Sequence, residues 1–354
     1  MAKKILFVGA SLGGGGSERV MSTLANSFAE EDTVRIIRLF DNKIDYPIHE
    51  SITTEFIGNT ATNRYTKKIA LVKALRKKVK EYQPDTIISF LTTCNVITVL
   101  ACRGLKVKKV ISERNDPNNN VKSKFAAKVR NIVYKNADCL VCQTEDALKY
   151  FPSKIQKKSV IIPNPVRDDI PEVYEGEREK NIIMVCRLNK QKNIPMALKA
   201  FSVFYQKHPE WRMDIYGEGG EKEQLVTLSQ ELGISSHVMF LGFHKDVMEK
   251  LRTAGIYLST SDYEGISNSM LEAIALGTPC VVTDCPIGGA RMVVKNGLDV
   301  VLIPVKEVDE CVKALEKMAD VDSQIVYDIS INNSSKVKNI YSLNKVIEAW
   351  RNQI

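Results

Sequence analysis

Short apolar runs alternate with helical patterns along the first half of the chain. The stretches between most of these runs carry apolar residues at helical spacing, near residues 17–30, 65–82, 93–103, 122–136 and 144–151. This alternation predicts a parallel sheet with helices on both faces, and such sheets bind ligands beyond the carboxyl ends of their strands. The predicted strands are 4–8, 34–39, 85–90, 109–112, 139–142 and 159–163.

The alternation breaks once and then restarts. Pro163-Asn164-Pro165 and the charged residues 167–180 interrupt it, which predicts a domain junction. A chain of 354 residues is also too long for one ordinary core. We therefore expect an α/β protein with two doubly wound Rossmann-like domains, residues 1–165 and 166–339, that face each other across a cleft. The predicted strands of the second domain are 181–186, 212–216, 237–241, 256–259, 280–283 and 300–303, with helices between them, at 307–319 and in the last 30 residues.

The composition is that of a soluble globular enzyme. Hydrophobic residues make up 44% of the chain and charged residues 26%. No apolar run approaches the roughly 18 residues that a membrane-spanning helix needs. The first residues, Met-Ala-Lys-Lys-Ile-Leu-Phe-Val, lead straight into a strand and lack the features of a signal peptide. We therefore expect a cytoplasmic location.

The cysteines are predicted to be buried packing residues rather than metal ligands or redox-active thiols. The chain has eight of them, mostly among apolar neighbours. Cys139 and Cys142 form a C-x-x-C, but this pair lies inside a predicted buried strand and has no second pair or histidine pair beside it. Reduced, buried thiols are therefore favoured over a metal or redox site.

A glycine-rich turn follows the first predicted strand. Gly13, Gly14, Gly15 and Gly16 precede a helix, so that the backbone can approach a ligand closely and helix N–H groups are free for an anion. The turn is neither a Walker loop nor a G-x-G-x-x-G fingerprint in register. A flexible turn with Ser17 as the helix cap explains the same residues.

Two cations follow the first strand of the second domain. Arg187 ends this strand, and Lys192 lies just before the helix predicted from Ile194. Cations beside a helix N-terminus, at the carboxyl end of a strand, can clamp a diphosphate. A solvated basic loop is the alternative interpretation.

The next two strands of this domain end in glycine-containing turns. Gly217 and Glu218 follow one strand, and Gly242 follows the other. Glycine at these places lets the backbone reach a ligand such as a nucleobase. Taken alone, either turn is more often an ordinary connection.

The most informative segment covers residues 261–273, between a strand and a helix. Glu264 and Glu272 are eight residues apart, which is about 12 Å of rise in a helix, so they cannot bind one metal as neighbouring helical ligands. Glu264 is predicted on the loop and Glu272 inside the helix. The residues between them offer free N–H groups at a helix N-terminus, which suit phosphate oxygens. A capped surface helix with incidental acids is the alternative.

Together these segments resemble the GT4-type retaining glycosyltransferases of the GT-B fold. Glu264 and Glu272 match the E-x7-E signature, within Glu-Gly-x-x-x-x-x-Leu-Glu-Ala-x-Ala-x-Gly-x-Pro over residues 264–279. Arg187 and Lys192 match the family's diphosphate-binding pair, and residues 13–19 resemble its Gly-Gly-x-Glu-Arg turn. The resemblance spans nearly the whole chain and is strongest in the second domain.

The resemblance implies a reaction and its substrates. A hexose or N-acetylhexosamine would pass from a nucleotide sugar, with UDP the usual carrier, to a hydroxyl of a lipid-linked or surface-polysaccharide glycan. The first domain would hold this acceptor, and a C-terminal helix of about residues 340–354 would pack back on it. Family members need no metal or other cofactor, because cations and helix N-termini neutralise the leaving group.

The resemblance also implies residue roles. Glu272 would hold the ribose hydroxyls, and Glu264 would hold hydroxyls of the transferred sugar. Arg187 and Lys192 would neutralise the diphosphate. The remaining donor-binding residues would be Gly14, Gly15, Gly16, Gly217, Glu218, Gly242, Gly265, Ile266, Ser267 and Asn268.

One departure from the family pattern concerns the reacting carbon. Many relatives place a histidine after a strand of the first domain, near the anomeric centre. Here that stretch reads Val-Ile-Ser-Glu-Arg-Asn-Asp-Pro, without histidine, and Glu113 or Arg114 would take its place. A polar loop between strand and helix is the alternative.

The basic charge of the first half favours an anionic partner. Residues 1–170 contain 29 Lys and Arg against 17 Asp and Glu, a net charge of +12, and the remaining residues carry −4. Two predicted amphipathic helices hold many of these cations, and such helices can lie on anionic membranes. Because the resemblance implies lipid-linked acceptors, we favour membrane contact over a merely solvated surface. Nucleic-acid binding is not expected, since no reader motif is present. The cations are Arg64, Lys67, Lys68, Lys73, Arg76, Lys77, Lys78 and Lys80 in one helix, and Lys122, Lys124, Lys128, Arg130 and Lys135 in the other.

Two rival functions share the same scaffold. A nucleotide-sugar epimerase or phosphorylase would turn over the donor without a sugar acceptor. A non-catalytic protein would keep only the nucleotide-sugar pocket, but the presence of all four residues of the signature and the cation pair argues against it.

Overall fold

The computed structural model describes residues 2–58, 64–121, 123–244 and 247–354. The chain folds into two compact units. The first contains residues 1–163 and 344–354, and the second contains residues 164–343. The junction thus lies two residues before the position predicted from the proline pair.

The first unit is built on a seven-stranded parallel sheet. Its strand order is β3-β2-β1-β4-β5-β6-β7. The strands are β1 (Lys4–Gly9), β2 (Thr33–Arg38), β3 (Thr53–Phe56), β4 (Thr86–Phe90), β5 (Lys108–Ser112), β6 (Cys139–Cys142) and β7 (Ser159–Ile161).

Helices cover both faces of this sheet. Ile5 and Phe7 of β1 share a core with α1 and the last helix, whereas Leu6 and Val8 share a core with α2 and α3. Burial on both faces explains why β1 reads as a continuous apolar run. The helices are α1 (Gly16–Phe28), α2 (Arg64–Tyr82), α3 (Thr92–Ala101), α4 (Lys124–Tyr134), α5 (Glu145–Lys149) and α6 (Ser153–Gln156).

The second unit repeats this architecture with a six-stranded parallel sheet. Its strand order is β10-β9-β8-β11-β12-β13. The strands are β8 (Glu179–Val185), β9 (Arg212–Tyr216), β10 (Val238–Gly242), β11 (Ala254–Ser259), β12 (Cys280–Thr283) and β13 (Val301–Ile303). The helices are α7 (Ile194–Phe204), α8 (Lys222–Glu231), α9 (Val247–Thr253), α10 (Asn268–Ala275), α11 (Gly289–Lys295), α12 (Val308–Ala319) and α13 (Ser323–Ile340), and α14 (Leu343–Arg351) returns the chain to the first unit.

Each sheet has a point where the strand order reverses. In the first unit this point lies between β1 and β4, and in the second it lies between β8 and β11. Parallel sheets of this type bind ligands in the crevice that opens there, beyond the carboxyl ends of the strands. We therefore expect a ligand-binding site in the second unit at the loops after β8 and β11.

The predicted α/β fold with two Rossmann-like domains is confirmed, with local differences. Strand β3 was not predicted, because Thr53–Phe56 lies at the edge of the sheet and carries a polar, partly exposed sequence. The helices predicted in the last 30 residues are α13 and α14, and α14 corresponds to the C-terminal helix predicted at about residues 340–354. None of the described helices combines the length and apolar character needed to cross a bilayer.

Candidate active site

An ion pair joins the loops after β8 and β11. The Lys192 ammonium group donates a hydrogen bond to Oε1 of Glu264, and both side chains are mostly buried. The second carboxylate oxygen accepts from the Ser261 hydroxyl at 3.0 Å. The structure thus brings together Lys192 and Glu264. The family resemblance implies that Lys192 contacts the diphosphate and that Glu264 contacts the transferred sugar.

Further hydrogen bonds tie these two loops to each other. The Thr260 hydroxyl donates to the carbonyl of Lys192 at 3.0 Å. The Asn193 side chain donates to Asp262 Oδ1 at 2.8 Å, and the Gln191 amide donates to the carbonyl of Tyr263 at 2.8 Å. Since β8 and β11 are neighbours in the sheet, their following loops start side by side. The pair of loops therefore forms one preorganised surface.

Lys192 is positioned by a single helical turn that precedes α7. The Asn189 side chain caps this turn by accepting from the backbone N–H of Lys192 at 3.3 Å. Asn193 then adopts a left-handed conformation, with φ of 42°, which redirects the chain into α7. Asparagine tolerates this conformation better than most residues. The sequence Asn-Lys-Gln-Lys-Asn thus encodes the turn that holds Lys192 in place.

Glu272 lies one turn inside α10. The helix begins at Asn268, and Ser267 caps it by accepting from the backbone N–H of Met270 at 3.4 Å. Glu272 is only 5% exposed. A carboxylate there is shielded from bulk water, so a hydrogen bond from a ligand hydroxyl is strengthened.

The loop before α10 is shaped by two contacts that the sequence did not reveal. The side chain of Asn164, which is buried, donates to the carbonyl of Ile266 at 2.8 Å. Gly289 packs so closely against Gly265 that an added Cβ would lie 2.2 Å from the Gly265 carbonyl oxygen. Both contacts fix the backbone of the predicted phosphate-binding stretch. The role of Asn164 was not predicted, because the prolines on either side of it indicated only a linker.

The glycine that follows β9 meets the glycine that ends β10. The backbone N–H of Gly217 donates to the carbonyl of Gly242 at 2.7 Å. Gly217 has φ of +133°, and an added Cβ would lie 1.9 Å from the carbonyl oxygen of Cys186. Glycine is therefore required at residue 217. Glu218, whose carbonyl accepts from the N–H of Leu188 at 2.9 Å, belongs to the same turn.

Arg187 is exposed at the end of β8. In the described part of the chain its guanidinium group has no ion-pair partner. The neighbouring Cys186 thiol is kept neutral, since burial raises its pKa to about 11. The loop thus carries two exposed cations, Arg187 and Lys190, and one paired cation, Lys192.

In the first unit the glycine-rich turn is held by the loop after β2. The Tyr46 hydroxyl donates to the carbonyl of Gly15 at 3.1 Å, and the N–H of Leu12 donates to the carbonyl of Lys43 at 3.1 Å. Gly15, rather than Ser17, is the residue at the N-cap of α1, and no side chain caps the helix there. Gly14 and Gly16 are exposed.

Glu113 lies at the end of β5 and is 1% exposed. Its carboxylate accepts from the Thr92 hydroxyl at 2.9 Å, from the Asn120 side chain at 3.3 Å and from the Tyr134 hydroxyl. Burial raises the pKa of Glu113, while Tyr134 and Arg130 act in the opposite direction. Its role at the reacting carbon stays a prediction, and its surroundings suit a group that orders the following loop.

Arg114 is buried beside Glu113, with 8% of its surface exposed. Its guanidinium group lies over the Phe90 ring at 5.6 Å, and burial lowers its pKa to about 9. The chain thus places a buried carboxylate and a buried guanidinium group side by side after β5. They belong to the first unit, whereas Lys192, Glu264 and Glu272 belong to the second.

The cysteines and the acidic groups show no arrangement suited to a metal ion in residues 2–58, 64–121, 123–244 and 247–354. Cys139 and Cys142 lie buried on β6 as free thiols. Burial raises the pKa of Cys139 to about 11.

Family profiles match both units. One described as "Glycosyl transferases group 1" matches residues 166–325, and one described as "Glycosyltransferase Family 4" matches residues 14–170. Together they account for the chain from residue 14 to residue 325. The chain belongs to the glycosyltransferases.

Two curated relatives resemble this glycosyltransferase over nearly their full lengths. An uncharacterized glycosyltransferase of Haemophilus influenzae is 27% identical, with 99% of each chain covered. A second protein, from Campylobacter jejuni, is 27% identical, with 98% of this chain and 97% of that protein covered. Its name describes an α-1,4-N-acetyl-D-galactosaminyltransferase that acts on GalNAc-α-(1→4)-GalNAc-α-(1→3)-diNAcBac-PP-undecaprenol.

A solved structure shares the fold of this glycosyltransferase. HepE of Anabaena, in complex with UDP and glucose, superposes with a TM-score of 0.86. It is 18% identical and covers 99% of this chain and 98% of its own. At this identity the likeness shows the fold, which is that of the GT-B glycosyltransferases.

Proposed function

We propose that this glycosyltransferase is a retaining, GT4-type enzyme. It moves a hexose or N-acetylhexosamine from a UDP-linked nucleotide sugar to a hydroxyl of a lipid-linked or surface-polysaccharide glycan. The observation that carries the proposal is the contact between Lys192 and Glu264 at the strand-order reversal of the second sheet. The contact supports the proposal because it puts a lysine and a glutamate together where a parallel sheet receives its ligand.

The nucleotide part of the donor lies along the carboxyl edge of the second sheet. Glu272, shielded on α10, accepts from the ribose hydroxyls. The adjoining glycine turns at Gly217 and Gly242 leave room for the base, since neither residue carries a side chain. The backbone amides from Gly265 to Asn268 bind sugar and phosphate oxygens. Their orientation is fixed before binding by Asn164 and by the Ser267 cap.

Charge neutralisation drives departure of the nucleoside diphosphate. Arg187 is exposed and ready to approach a phosphate, and the α10 N-terminus adds a partial positive charge. Lys192 exchanges its bond with Glu264 for one with the diphosphate, which frees Glu264 for the hydroxyls of the transferred sugar. The backbone amides at the α10 N-terminus are held in place beforehand, so they stabilise developing charge without reorganisation. We therefore propose that transfer needs no metal ion.

Configuration is retained at the anomeric carbon. The acceptor hydroxyl attacks from the face that the phosphate leaves, and the departing phosphate oxygen takes the hydroxyl proton. The C–O bond to phosphate breaks and the C–O bond to the acceptor forms on the same face. The α linkage in the name of the Campylobacter relative is the product that retention gives from an α-linked donor sugar.

The first unit holds the acceptor. Its carboxyl edge carries the glycine-rich turn, where Gly14 and Gly16 are exposed, and the loop after β5 that Glu113 orders. The undecaprenol-linked substrate named for the Campylobacter relative supports a lipid-linked acceptor for this chain.

Binding and turnover together test the proposal. Thermal unfolding is followed with UDP-, GDP- and ADP-sugars, because a ligand that binds the folded state raises its apparent stability. The sugar that raises the melting temperature is then incubated with a panel of diphosphate-linked glycans, and the product is read by proton NMR. We expect a UDP-sugar to bind and an α-linked product to form with release of UDP. Inversion, or conversion of the donor without any acceptor, contradicts the proposal.

A further inference from the structure

Helix α4 exposes its apolar side chains. Phe125 is 76% exposed, Val129 40% and Ile132 53%. These residues are spaced by four and three positions, so they line up on one face of the helix. The opposite face buries Arg130, with 2% exposure, and Tyr134. Apolar side chains thus lie on the outer face of α4 in addition to the buried Val133 and Tyr134 on its inner face.

Specific contacts hold α4 in this orientation. The buried Arg130 guanidinium donates to the carbonyl of Pro117 at 2.7 Å. It also lies 5.0 Å from the ring centres of Tyr150 and Phe151. A buried cation without such partners costs free energy. Rotating α4 about its axis would remove these partners from Arg130. The outward position of the apolar residues is therefore built into the first unit.

Lysines flank the apolar strip. Lys124, Lys128 and Lys135 are exposed. In the residues that the structure describes, no acidic side chain forms an ion pair with any of the three. An apolar strip with a cationic border is complementary to an anionic lipid surface, which offers acyl chains beneath negatively charged headgroups.

The basic helix α2 offers a weaker surface. Lys78 pairs with Glu55 at 2.6 Å, and Arg76 donates to the carbonyls of Ala101 and Arg103 at 2.7 Å. Among the described side chains of α2, the exposed large apolar residue is Ile69. The charge of α2 is thus partly used within the unit, and the described side chains of this helix form no apolar strip.

The position of α4 relates this surface to the acceptor edge. The helix follows the loop after β5, so its first turn, with Phe125, lies toward the carboxyl edge of the sheet. Glu113 and the glycine-rich turn lie at the same edge, because all strands of this sheet are parallel. A surface that holds α4 against lipid would keep this edge near membrane-anchored glycans.

We propose that the outer face of α4 (Lys124, Phe125, Lys128, Val129, Ile132 and Lys135) docks the enzyme on an anionic phospholipid surface. The apolar strip enters the headgroup region, and the lysines contact lipid phosphates. The purpose of this docking, delivery of a lipid-linked acceptor, rests on the proposed function. The docking itself does not.

Vesicle co-sedimentation tests the proposal on the full chain. Vesicles of phosphatidylcholine with phosphatidylglycerol are compared with pure phosphatidylcholine vesicles, at low and high salt. We expect binding to the anionic vesicles alone, weakened by salt. No binding of the wild-type chain to anionic vesicles overturns the proposal.

Paired substitutions identify the docking face. We expect Phe125→Ser with Ile132→Ser, and separately Lys124→Gln with Lys128→Gln, to weaken vesicle binding about tenfold. Ile325→Ser with Ile329→Ser is the matched control, because these residues are also exposed on a helix, α13, of the other unit. Lys73→Gln with Lys80→Gln tests α2. A loss on α2 or α13 that equals or exceeds the loss on α4 overturns the proposal.

Two further measurements separate the possible failures. The α4 variants should keep the wild-type melting temperature and the wild-type rate toward a lipid-free acceptor fragment. If they instead dissociate a dimer in sedimentation velocity and leave vesicle binding unchanged, a second copy of the chain covers α4 and the proposal is wrong. Vesicle binding without any sugar transfer would leave the docking surface intact and refute the proposed function.

Discussion

Lys192 and Glu264 form an ion pair although 72 residues separate them in the sequence. The contact arises because β8 and β11 are adjacent in the sheet, so that their following loops start side by side. The two groups satisfy each other. The roles proposed for them, at the diphosphate and at the transferred sugar, therefore require a donor to open this ion pair.

We expect Lys192→Ala to lower kcat/KM by about 10²- to 10³-fold, the range seen when one preorganised stabilising group is removed. The measurement is a steady-state assay with the nucleotide sugar found by thermal shift. Lys199→Ala is the matched control, because Lys199 is an exposed lysine of the neighbouring helix α7. Equal rates in all three proteins would remove Lys192 from the mechanism.

Coupling between the two residues is tested separately. Because Lys192 and Glu264 contact each other, the effects of Lys192→Ala and Glu264→Gln on kcat/KM should not add. We expect the double variant to lose less than the product of the two single losses. Strict additivity would show that the contact has no bearing on transfer.

Asn164→Ala should destabilise the second unit by about 1–3 kcal/mol, since the carbonyl of Ile266 is left without its buried donor. The chain has two tryptophans, Trp211 in the second unit and Trp350 in the first. Urea unfolding in a Trp350→Phe background therefore reports on the second unit. Asn332→Ala, at an exposed position of α13, is the control. An Asn164 variant as stable as this control would contradict the assigned contact.

Gly217→Ala should destabilise the second unit more than Gly233→Ala does. Both glycines have positive φ, so both variants meet a left-handed strain of about 1–2 kcal/mol. At Gly217 the new Cβ would also lie 1.9 Å from the Cys186 carbonyl oxygen, whereas at Gly233 the space is open. The same tryptophan measurement compares them. Equal losses would mean that the turn after β9 relaxes without cost.

Glu113 should make the stability of the first unit depend on pH. Burial raises its pKa in the folded state, so folding favours the protonated form. Stability is therefore highest below the unfolded-state pKa of about 4.3 and falls as pH rises toward the raised folded-state value. We expect Glu113→Gln to gain stability relative to wild type as pH increases over this range. Unfolding followed by Trp350 in a Trp211→Phe background measures it, and a constant difference across pH would contradict the assignment.

The fold was largely predictable from the sequence because both sheets are buried on both faces. Such strands read as short continuous apolar runs, and β6, β9 and β12 have the predicted bounds. Strand β3 escaped prediction because Thr53–Phe56 lies at an edge and carries little apolar pattern. Local chemistry also placed Glu264 on a loop and Glu272 on a helix, as the structure has them.

The pattern of residues along the sequence did not predict the contacts that organise the site. The partners of Lys192 and Asn164 lie 72 and 102 residues away, so they follow from strand order rather than from spacing. Likewise, the buried network of Glu113 depends on which way Tyr134 faces on α4. The apolar spacing of α4 suggests a core-facing stripe, yet Phe125 and Ile132 point outward because Arg130 takes the inner position.

Calorimetric titration with UDP-, GDP- and ADP-sugars tests the central claim most directly. Wild type and Glu223→Gln, which changes an exposed glutamate of α8, should bind the same UDP-sugar with equal Kd. Glu272→Gln should bind it about tenfold more weakly, because a charge-assisted hydrogen bond to the ribose is lost. Absence of binding to every nucleotide sugar, or an unchanged Kd in Glu272→Gln, would contradict a donor site built on Glu272 at the carboxyl edge of the second sheet.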